Sequence, residues 1–209
     1  MISAGNDIVA LKVIDKERTH QPVFYSKFIT PAEFEIHRST EMPFMHFVWL
    51  LWSVKESAYK YLKRSDAGLV FSPSKLIVQQ IIRCTHDEVG QFTADQEIND
   101  FYSGTISYDL QKLPFKSAIN NKFIVSSINN GDVYWGVQKI ESNAYDDQST
   151  AVRQFALDCL NNLLALNNLQ FENHPAGYPV LFNGELQTDV AVSFAHHDRY
   201  VSYSLHIPK

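Results

Sequence analysis

The sequence predicts an α+β fold in which antiparallel strands pack on a few helices. Two segments, 44–63 and 150–166, repeat apolar side chains at helical spacing. The remainder contains short runs of β-branched and aromatic residues, separated by turn-forming residues. With 209 residues, the chain can form one domain, or two small lobes, with a sizeable core.

The first part of the chain predicts a strand followed by two helices. The apolar run Ile8–Ile14 predicts a buried strand. Thr30-Pro31-Ala32-Glu33 combines an N-cap, a proline at the first helical position and a capping-box glutamate, which predicts a short helix through His37. The helix over 44–63 has large apolar groups on both faces, so we expect both faces to be covered.

Strands and turns are predicted for residues 69–140, and a helix for Thr150–Leu166. The hairpin-turn sequence Asn129-Asn130-Gly131-Asp132 precedes one of these strands, and Ser142–Ser149 predicts a loop between lobes. No internal repeat is evident. The individual strands are predicted at Leu76–Ile82, Phe101–Leu110, Phe123–Val125, Val133–Ile140, Pro179–Phe182, Val190–Ala195 and Tyr200–Ile207.

Composition excludes several classes of protein. The net charge of −5 argues against nucleic-acid binding by bulk electrostatics. No apolar run reaches the roughly 18 residues of a membrane span, and Met1–Leu11 lacks the pattern of a signal peptide. The two cysteines, Cys84 and Cys159, form no disulfide framework, so we expect a cytoplasmic protein.

Asp7 and Glu56 are candidate ligands for magnesium. Asp7 follows Gly5, whose missing side chain lets another group come close. Two carboxylates with water and phosphate oxygens suit octahedral Mg²⁺, which rarely occupies an all-protein cage. The alternatives are a capping role for Asp7 and an i,i+4 pair of Glu56 with Lys60, worth about a few tenths of a kcal/mol.

Two further groups of residues carry candidate chemistry. Basic side chains at one helix end suggest either a phosphate cradle or complementation of the helix dipole. Neighbouring His196 and His197 lie on a predicted strand, so they should point to opposite faces and not share a metal. A metal-dependent hydrolase is therefore disfavoured, and Ser193 lacks the surroundings of a nucleophile elbow. The basic group comprises Lys55, Lys60, Lys63 and Arg64.

Four motifs in order resemble the 4′-phosphopantetheinyl transferase superfamily. The order matches the short holo-acyl-carrier-protein synthase type, enlarged by a strand-rich segment at roughly 83–150 within a single domain 1–209. The chain departs from many members at Ala10, Leu51 and His197. The motifs are Gly5-Asn6-Asp7-Ile8, Trp52-Ser53-Val54-Lys55-Glu56-Ser57, Gly177-Tyr178-Pro179 and Ser193-Phe194-Ala195-His196.

The resemblance implies a function and roles for these residues. Coenzyme A would bind with Mg²⁺ held by Asp7 and Glu56, and a serine of an apo acyl or peptidyl carrier protein would attack its β-phosphate and release 3′,5′-ADP. Glu56, Lys60 or a metal-bound water would take the serine proton, with Lys60 expected to act as a cation. Lys12 can face the acidic carrier. Coenzyme A contacts are implied for Lys55, Lys63, His196 and His197.

Some alternatives stay open at this stage. The second hypothesis is a non-catalytic module that binds coenzyme A or a carrier protein on the same fold. Short members of the family are trimers with the site between subunits, and duplicated members are monomers; the sequence does not choose between them. Nor does it name the carrier, although fatty-acid synthesis is the default for the short type.

Overall fold

The computed structural model describes residues 3–129, 131–164, 166 and 168–208 and confirms a mixed α+β fold. The helices are α1 Lys16–Thr19, α2 Pro22–Tyr25, α3 Pro31–Ser39, α4 Phe44–Lys63 and α5 Tyr145–Leu164, with short 3₁₀ turns at Leu11–Val13, Pro73–Lys75 and His86–Val89. The strands are β1 Ala4–Ala10, β2 Ile77–Cys84, β3 Gln91–Ala94, β4 Asp100–Tyr108, β5 Gln111–Ile119, β6 Phe123–Asn129, β7 Val133–Lys139, β8 Leu169–Asn173, β9 Pro179–Asn183, β10 Leu186–His197 and β11 Tyr200–His206.

The strands form two sheets with the same topology. The first sheet has the order β1-β6-β5-β4-β2, and the second has the order β3-β7-β11-β10-β9-β8. Apart from β3, which pairs in parallel with β7, each half of the chain supplies one strand, a helix of 20 residues and four more strands. Their positions in the two sheets correspond one to one. The fold is therefore internally duplicated, although no repeat is evident in the sequence.

The strand-rich segment at roughly 83–150 is integral to both sheets. It contains β5 and β6, which lie in the middle of the first sheet, and β7, which lies inside the second. Phe115, Phe123 and Trp135 from this segment are among the largest fully buried side chains. Removing the segment would leave β1 without its hydrogen-bonded neighbour β6.

Most predicted elements are present, but several boundaries differ. The strand predicted at Ile8–Ile14 ends at Ala10, because Leu11 donates a backbone hydrogen bond to Lys122 and begins a turn that exposes the next residues. Helix α5 begins at Tyr145, inside the loop predicted at Ser142–Ser149, and its Gln148 is buried. Strands β3, β5 and β8 were not individually predicted. Asn130 of the predicted hairpin turn lies outside the described residues.

Helix α4, whose boundaries match the prediction, packs closely against β1 because Gly5 has no side chain. A Cβ atom at Gly5 would lie 2.1 Å from the Ser57 carbonyl oxygen and 2.7 Å from the Tyr61 nitrogen. Ser53 donates to the Asp7 carbonyl at 3.2 Å, and Ser57 donates to the Ser126 carbonyl on β6 at 3.2 Å. The motif glycine and the two serines therefore hold the strand and the helix at short distance. As expected, both faces of α4 are covered.

A buried ion pair fixes α4 against α3 and β2. The Lys55 ammonium lies 2.8 Å from Glu33 Oε1, and both side chains are 0 % exposed. Lys55 also donates to the Phe28 carbonyl. Glu33 accepts from the backbone of Thr30, completing the predicted capping box, and from the Val78 N–H at 2.9 Å. Every charged atom of the pair has a partner, which such burial requires.

We predict that Lys55→Met destabilises the protein by about 3–5 kcal/mol, because it leaves the Glu33 carboxylate buried without a countercharge. The double variant Glu33→Gln/Lys55→Met should recover much of this loss. Denaturant unfolding measures both effects. The exposed pair Arg38–Glu35 provides the control, since Arg38→Met should cost less than about 1 kcal/mol. A small loss for Lys55→Met would contradict the role given to this pair.

Candidate active site

The two halves of the chain meet where β1 lies beside β10. β1 is an edge strand of the first sheet, and its free N–H groups are paired by side chains. The Asn6 N–H donates to Ser193 Oγ at 3.1 Å, and the Ala10 N–H donates to His197 Nδ1 at 3.0 Å. A sheet edge that offers open pairing groups is thereby closed by the other half.

Asp7, Glu56 and Lys60 form a cluster at this junction. The Lys60 ammonium lies 3.4 Å from Asp7 Oδ1 and 3.6 Å from Glu56 Oε1. It also donates to the Asn6 carbonyl at 2.9 Å. Asp7 comes from β1, and the other two from successive turns of α4, so the close strand–helix packing brings them together. The Lys60 side chain therefore has acceptors on three sides.

The Asp7 carboxyl group is buried, and the protein satisfies only one of its two oxygens. Its side chain is 9 % exposed, and its Oδ2 atom is buried without a hydrogen-bond partner. Burial raises the pKa of Asp7 to about 7, and Glu56 adds to this rise, while Lys60 opposes it. A divalent cation would supply the missing countercharge and a ligand bond for Oδ2. Asp7 and Glu56 therefore fit a magnesium site completed by phosphate and water oxygens.

His196 and His197 project from β10 to opposite faces, as predicted. The His196 ring is exposed and meets the edge of Tyr145 at a centroid distance of 5.4 Å. Partial burial lowers the pKa of His196, and the nearby charges of Lys60 and His197 lower it further. Partial burial also lowers the pKa of His197, which Asp198 and Glu56 oppose. Both histidines therefore lie near the carboxylate cluster, but Nδ1 of His197 is occupied by β1.

The basic residues of α4 separate into three different environments. Lys55 is fully buried with Glu33, so the interpretation of Lys55 as a coenzyme A contact is corrected to a structural role. Lys63 donates to the Ala67 and Leu69 carbonyls, each at 2.7 Å, and so closes the helix C-terminus. Arg64 crosses to the second half and donates to the Pro179 and Val192 carbonyls. The predicted phosphate cradle therefore cannot include Lys55.

Two cavities lie at opposite ends of β1, one lined by Ala4 and the other by Leu11, the residue after the strand. The smaller, of about 270 Å³, includes Lys60, Lys63 and Arg64, and none of its lining residues is acidic. It also includes the Gly177-Tyr178-Pro179 motif and Ser193. Three cations without a carboxylate in the wall favour an anionic ligand.

The larger cavity, of about 670 Å³, lies beyond the end of β1 and is strongly basic. Asp198 is its single acidic lining residue. Of this group, only Lys12 was predicted from the sequence, although Lys16 follows it by four residues. The other three cationic residues were missed because they are distant in the chain, and no local spacing connects them to Lys12. The cationic lining residues, hereafter the basic rim, are Lys12, Lys16, Lys122, Lys139 and Arg199.

Within the described ranges, no three His, Cys, Asp or Glu side chains are grouped so as to hold a metal ion by themselves. In the same ranges, no helix is both long and apolar enough to cross a membrane.

A comparison with models of known protein families found a match. The family model of the 4′-phosphopantetheinyl transferase superfamily (ACPS) matches residues 3–121, which include Asp7, Glu56 and Lys60. The match confirms the resemblance predicted from the motifs, and it extends into the strand-rich segment at roughly 83–150. A search of curated proteins found no match.

The raised pKa of Asp7 predicts how stability depends on pH without metal. Folding moves this pKa from 3.8 to about 7, so between these values the folded state holds a proton that the unfolded state has released. The free energy of unfolding should therefore fall as pH rises from about 4 to about 7, at most by about 1.4 kcal/mol per pKa unit. Asp7→Asn should abolish this contribution and be more stable than the parent at pH 8.

Urea unfolding across this pH range, with a chelator present, measures the effect. Asp189→Asn is the matched control, because Asp189 is exposed. An Asp7→Asn variant whose stability at pH 8 falls below that of the parent would contradict the unsatisfied charge.

Proposed function

The chain belongs to the 4′-phosphopantetheinyl transferase superfamily, and we propose that it transfers the 4′-phosphopantetheine arm of coenzyme A to a serine of an apo acyl or peptidyl carrier protein. Family membership supports phosphopantetheinyl transfer as its general activity. The magnesium dependence, the holo-acyl-carrier-protein synthase role and the release of 3′,5′-ADP are the further content of the proposal. The observation that carries it is the cluster of Asp7, Glu56 and Lys60 between an anion-favouring cavity and the basic rim.

The transfer exchanges one phosphorus–oxygen bond for another. The serine oxygen of the carrier forms a bond to the β-phosphorus of coenzyme A, and the bond from that phosphorus to the bridging oxygen breaks. 3′,5′-ADP leaves with the electron pair, and the serine proton passes to a base. Such transfers depend on positioning and on stabilising charge at the phosphoryl oxygens.

Asp7 and Glu56 would hold the magnesium ion, which when bound neutralises the pyrophosphate and acidifies the attacking hydroxyl. Lys60 stabilises negative charge at the phosphoryl oxygens, because its ammonium already lies between the two carboxylates and the Asn6 carbonyl. A group that donates in all these directions is poorly placed to accept a proton. Glu56 or a metal-bound water is then the better candidate for the base.

The nucleotide end of coenzyme A fits the smaller cavity. Its phosphates would meet Lys60 and Lys63 in a wall without acidic residues. His196 is exposed near Lys60, where its ring N–H groups can donate to a phosphate. His197 is less available, since its Nδ1 accepts the Ala10 N–H; we assign it to holding β10 against β1.

The carrier protein would dock on the basic rim that surrounds the larger cavity. The five cations of the basic rim are all exposed, in a protein whose net charge is −5. A concentrated positive surface on an acidic protein favours an acidic partner and speeds its approach. The basic rim follows directly after β1, so a docked carrier would present its serine toward Asp7 and Glu56. Residues from both halves of one chain surround the cluster, which supports a monomer as the active unit in this proposal.

The direct test incubates the protein with coenzyme A, Mg²⁺ and a panel of apo acyl and peptidyl carriers. We expect one carrier to gain the mass of a single phosphopantetheine group, with release of 3′,5′-ADP. Chelation should abolish the gain, and Asp7→Ala or Glu56→Ala should lose activity far more than stability. Coenzyme A binding without any mass gain across the panel would instead indicate a non-catalytic binding module. An Asp7→Ala variant with near-parental turnover would reject the metal assignment.

The two ends of the site predict separable kinetic effects. His196→Ala should raise the Michaelis constant for coenzyme A by roughly ten- to hundredfold, the value of a lost hydrogen bond to a charged group, and leave that for the carrier nearly unchanged. Lys12→Glu should raise the Michaelis constant for the carrier and leave that for coenzyme A nearly unchanged, and this rise should shrink at high salt. Steady-state kinetics with each substrate varied in turn measures both. His86→Ala, at an exposed histidine far along the chain, is the control. If His196→Ala weakened the carrier instead, the orientation of the substrates would be reversed.

A further inference from the structure

Arg64, the residue after α4, joins the catalytic helix to the second half of the chain. Its guanidinium donates to the Pro179 carbonyl at 3.1 Å and to the Val192 carbonyl. These acceptors lie on β9 and β10, which are neighbours in the second sheet. The guanidinium also lies over the Tyr178 ring, 4.5 Å from its centroid. Burial lowers the pKa of Arg64 to about 10, as expected for a cation whose partners are carbonyls and a ring.

The Tyr178 ring also stacks on His174. The two rings are stacked, with centroids 4.3 Å apart and planes at 7°. The backbone between them is a tight turn, in which the His174 N–H donates to the Tyr178 carbonyl at 2.8 Å and the Gly177 N–H donates to the His174 carbonyl at 2.7 Å. Gly177 has φ of +88°, which favours glycine. Arg64 and His174 thus both pack on the Tyr178 ring, and these three side chains are hereafter called the arginine stack.

We infer that Arg64 is a positioning residue, which holds the 174–179 turn and β10 at a fixed distance from Lys60, one turn earlier on the same helix. The inference rests on the proposed function, in which this turn borders the nucleotide cavity. The terminal nitrogen Nη2 of Arg64 donates to carbonyls on two strands, like the tip of a fork, while the planar guanidinium covers an aromatic ring. A lysine ammonium would supply the charge, but it ends one bond short of this fork and has no flat face.

The contact geometry separates this role from direct phosphate binding. If Arg64 bound a phosphate directly, its charge would matter most. Arg64→Lys would then keep a Michaelis constant for coenzyme A close to that of the parent, and Arg64→Met would not. In positioning, both variants lose the fork and the stack, so they should behave alike. Tyr178 acts through the same stack, so removing its ring should produce the same defect, whereas Tyr178→Phe keeps the ring and should behave as the parent.

The test measures the Michaelis constants for coenzyme A and for the carrier in Arg64→Lys, Arg64→Met, Tyr178→Ala, Tyr178→Phe and the double variant Arg64→Lys/Tyr178→Ala. We expect both Arg64 variants and Tyr178→Ala to raise the constant for coenzyme A about tenfold, with that for the carrier changed less than about twofold. The double variant should be no worse than either single variant, because the two residues act as one unit. Arg38→Lys, at an exposed arginine on α3, is the control.

The outcomes decide between the roles. The inference would be overturned if Arg64→Lys kept the parental Michaelis constant for coenzyme A, or if the effects of Arg64→Lys and Tyr178→Ala multiplied in the double variant. It would also be overturned if the Michaelis constants for coenzyme A and for the carrier rose equally. Calorimetry that measures the binding of coenzyme A and of 3′,5′-ADP separates a failure of the positioning role of Arg64 from a failure of the proposed function. A parent protein that neither binds nor transfers would reject the proposed function, whereas a parent that does both, with variants unaffected, rejects only the role of Arg64.

Discussion

The buried Glu33–Lys55 ion pair is the constraint on which the orientation of α4 depends. A charge with 0 % exposure must keep its partner, because an unpaired buried charge costs several kcal/mol, on the order of 3–5. Lys55 is therefore held toward α3, and the rotation of the helix about its axis is set. That rotation directs Ser53 and Ser57 to β1 and β6 and places Glu56 and Lys60 beside Asp7. The motif lysine thus serves the chemistry by positioning its neighbour.

The internal duplication explains why the site lies at one junction only. β1 and β7 each have seven residues, and α4 and α5 each have 20, so positions can be matched by counting. Asp7 corresponds to Gly136, Glu56 to Leu157 and Lys60 to Asn161. One half therefore keeps the carboxylates and the lysine, while the other supplies His196, the 174–179 turn and the side chains that close the edge of β1. Each half completes what the other lacks.

Local signals made part of this structure predictable. The helical spacing of apolar residues predicted the boundaries of α4, and the capping box at Thr30 predicted the start of α3. Both signals depend on residues within one or two helical turns. The motifs also led to Asp7, Glu56 and Lys60 as one cluster. Gly5 was expected to allow a close approach, and α4 is the element that makes it.

Other features depend on partners distant in the chain and were not predictable. The burial of Lys55 requires Glu33, and the spacing of the two residues carries no signal for an ion pair. The basic rim joins residues between 12 and 199, and Arg64 finds its acceptors more than 100 residues away. The duplicated topology was hidden because strand order is kept by backbone pairing while the side chains differ, as at Gly136 and Asp7.

The central claim is that both halves of one chain build one site, and mixing two variants tests it most directly. Asp7→Ala damages the first half and His196→Ala the second, so each loses activity when coenzyme A is scarce. If the site forms within one chain, the mixture should be no more active than the sum of the two variants at every protein concentration. Recovery of a substantial fraction of the parental rate, rising with protein concentration, would show that the site is shared between chains and would contradict the account.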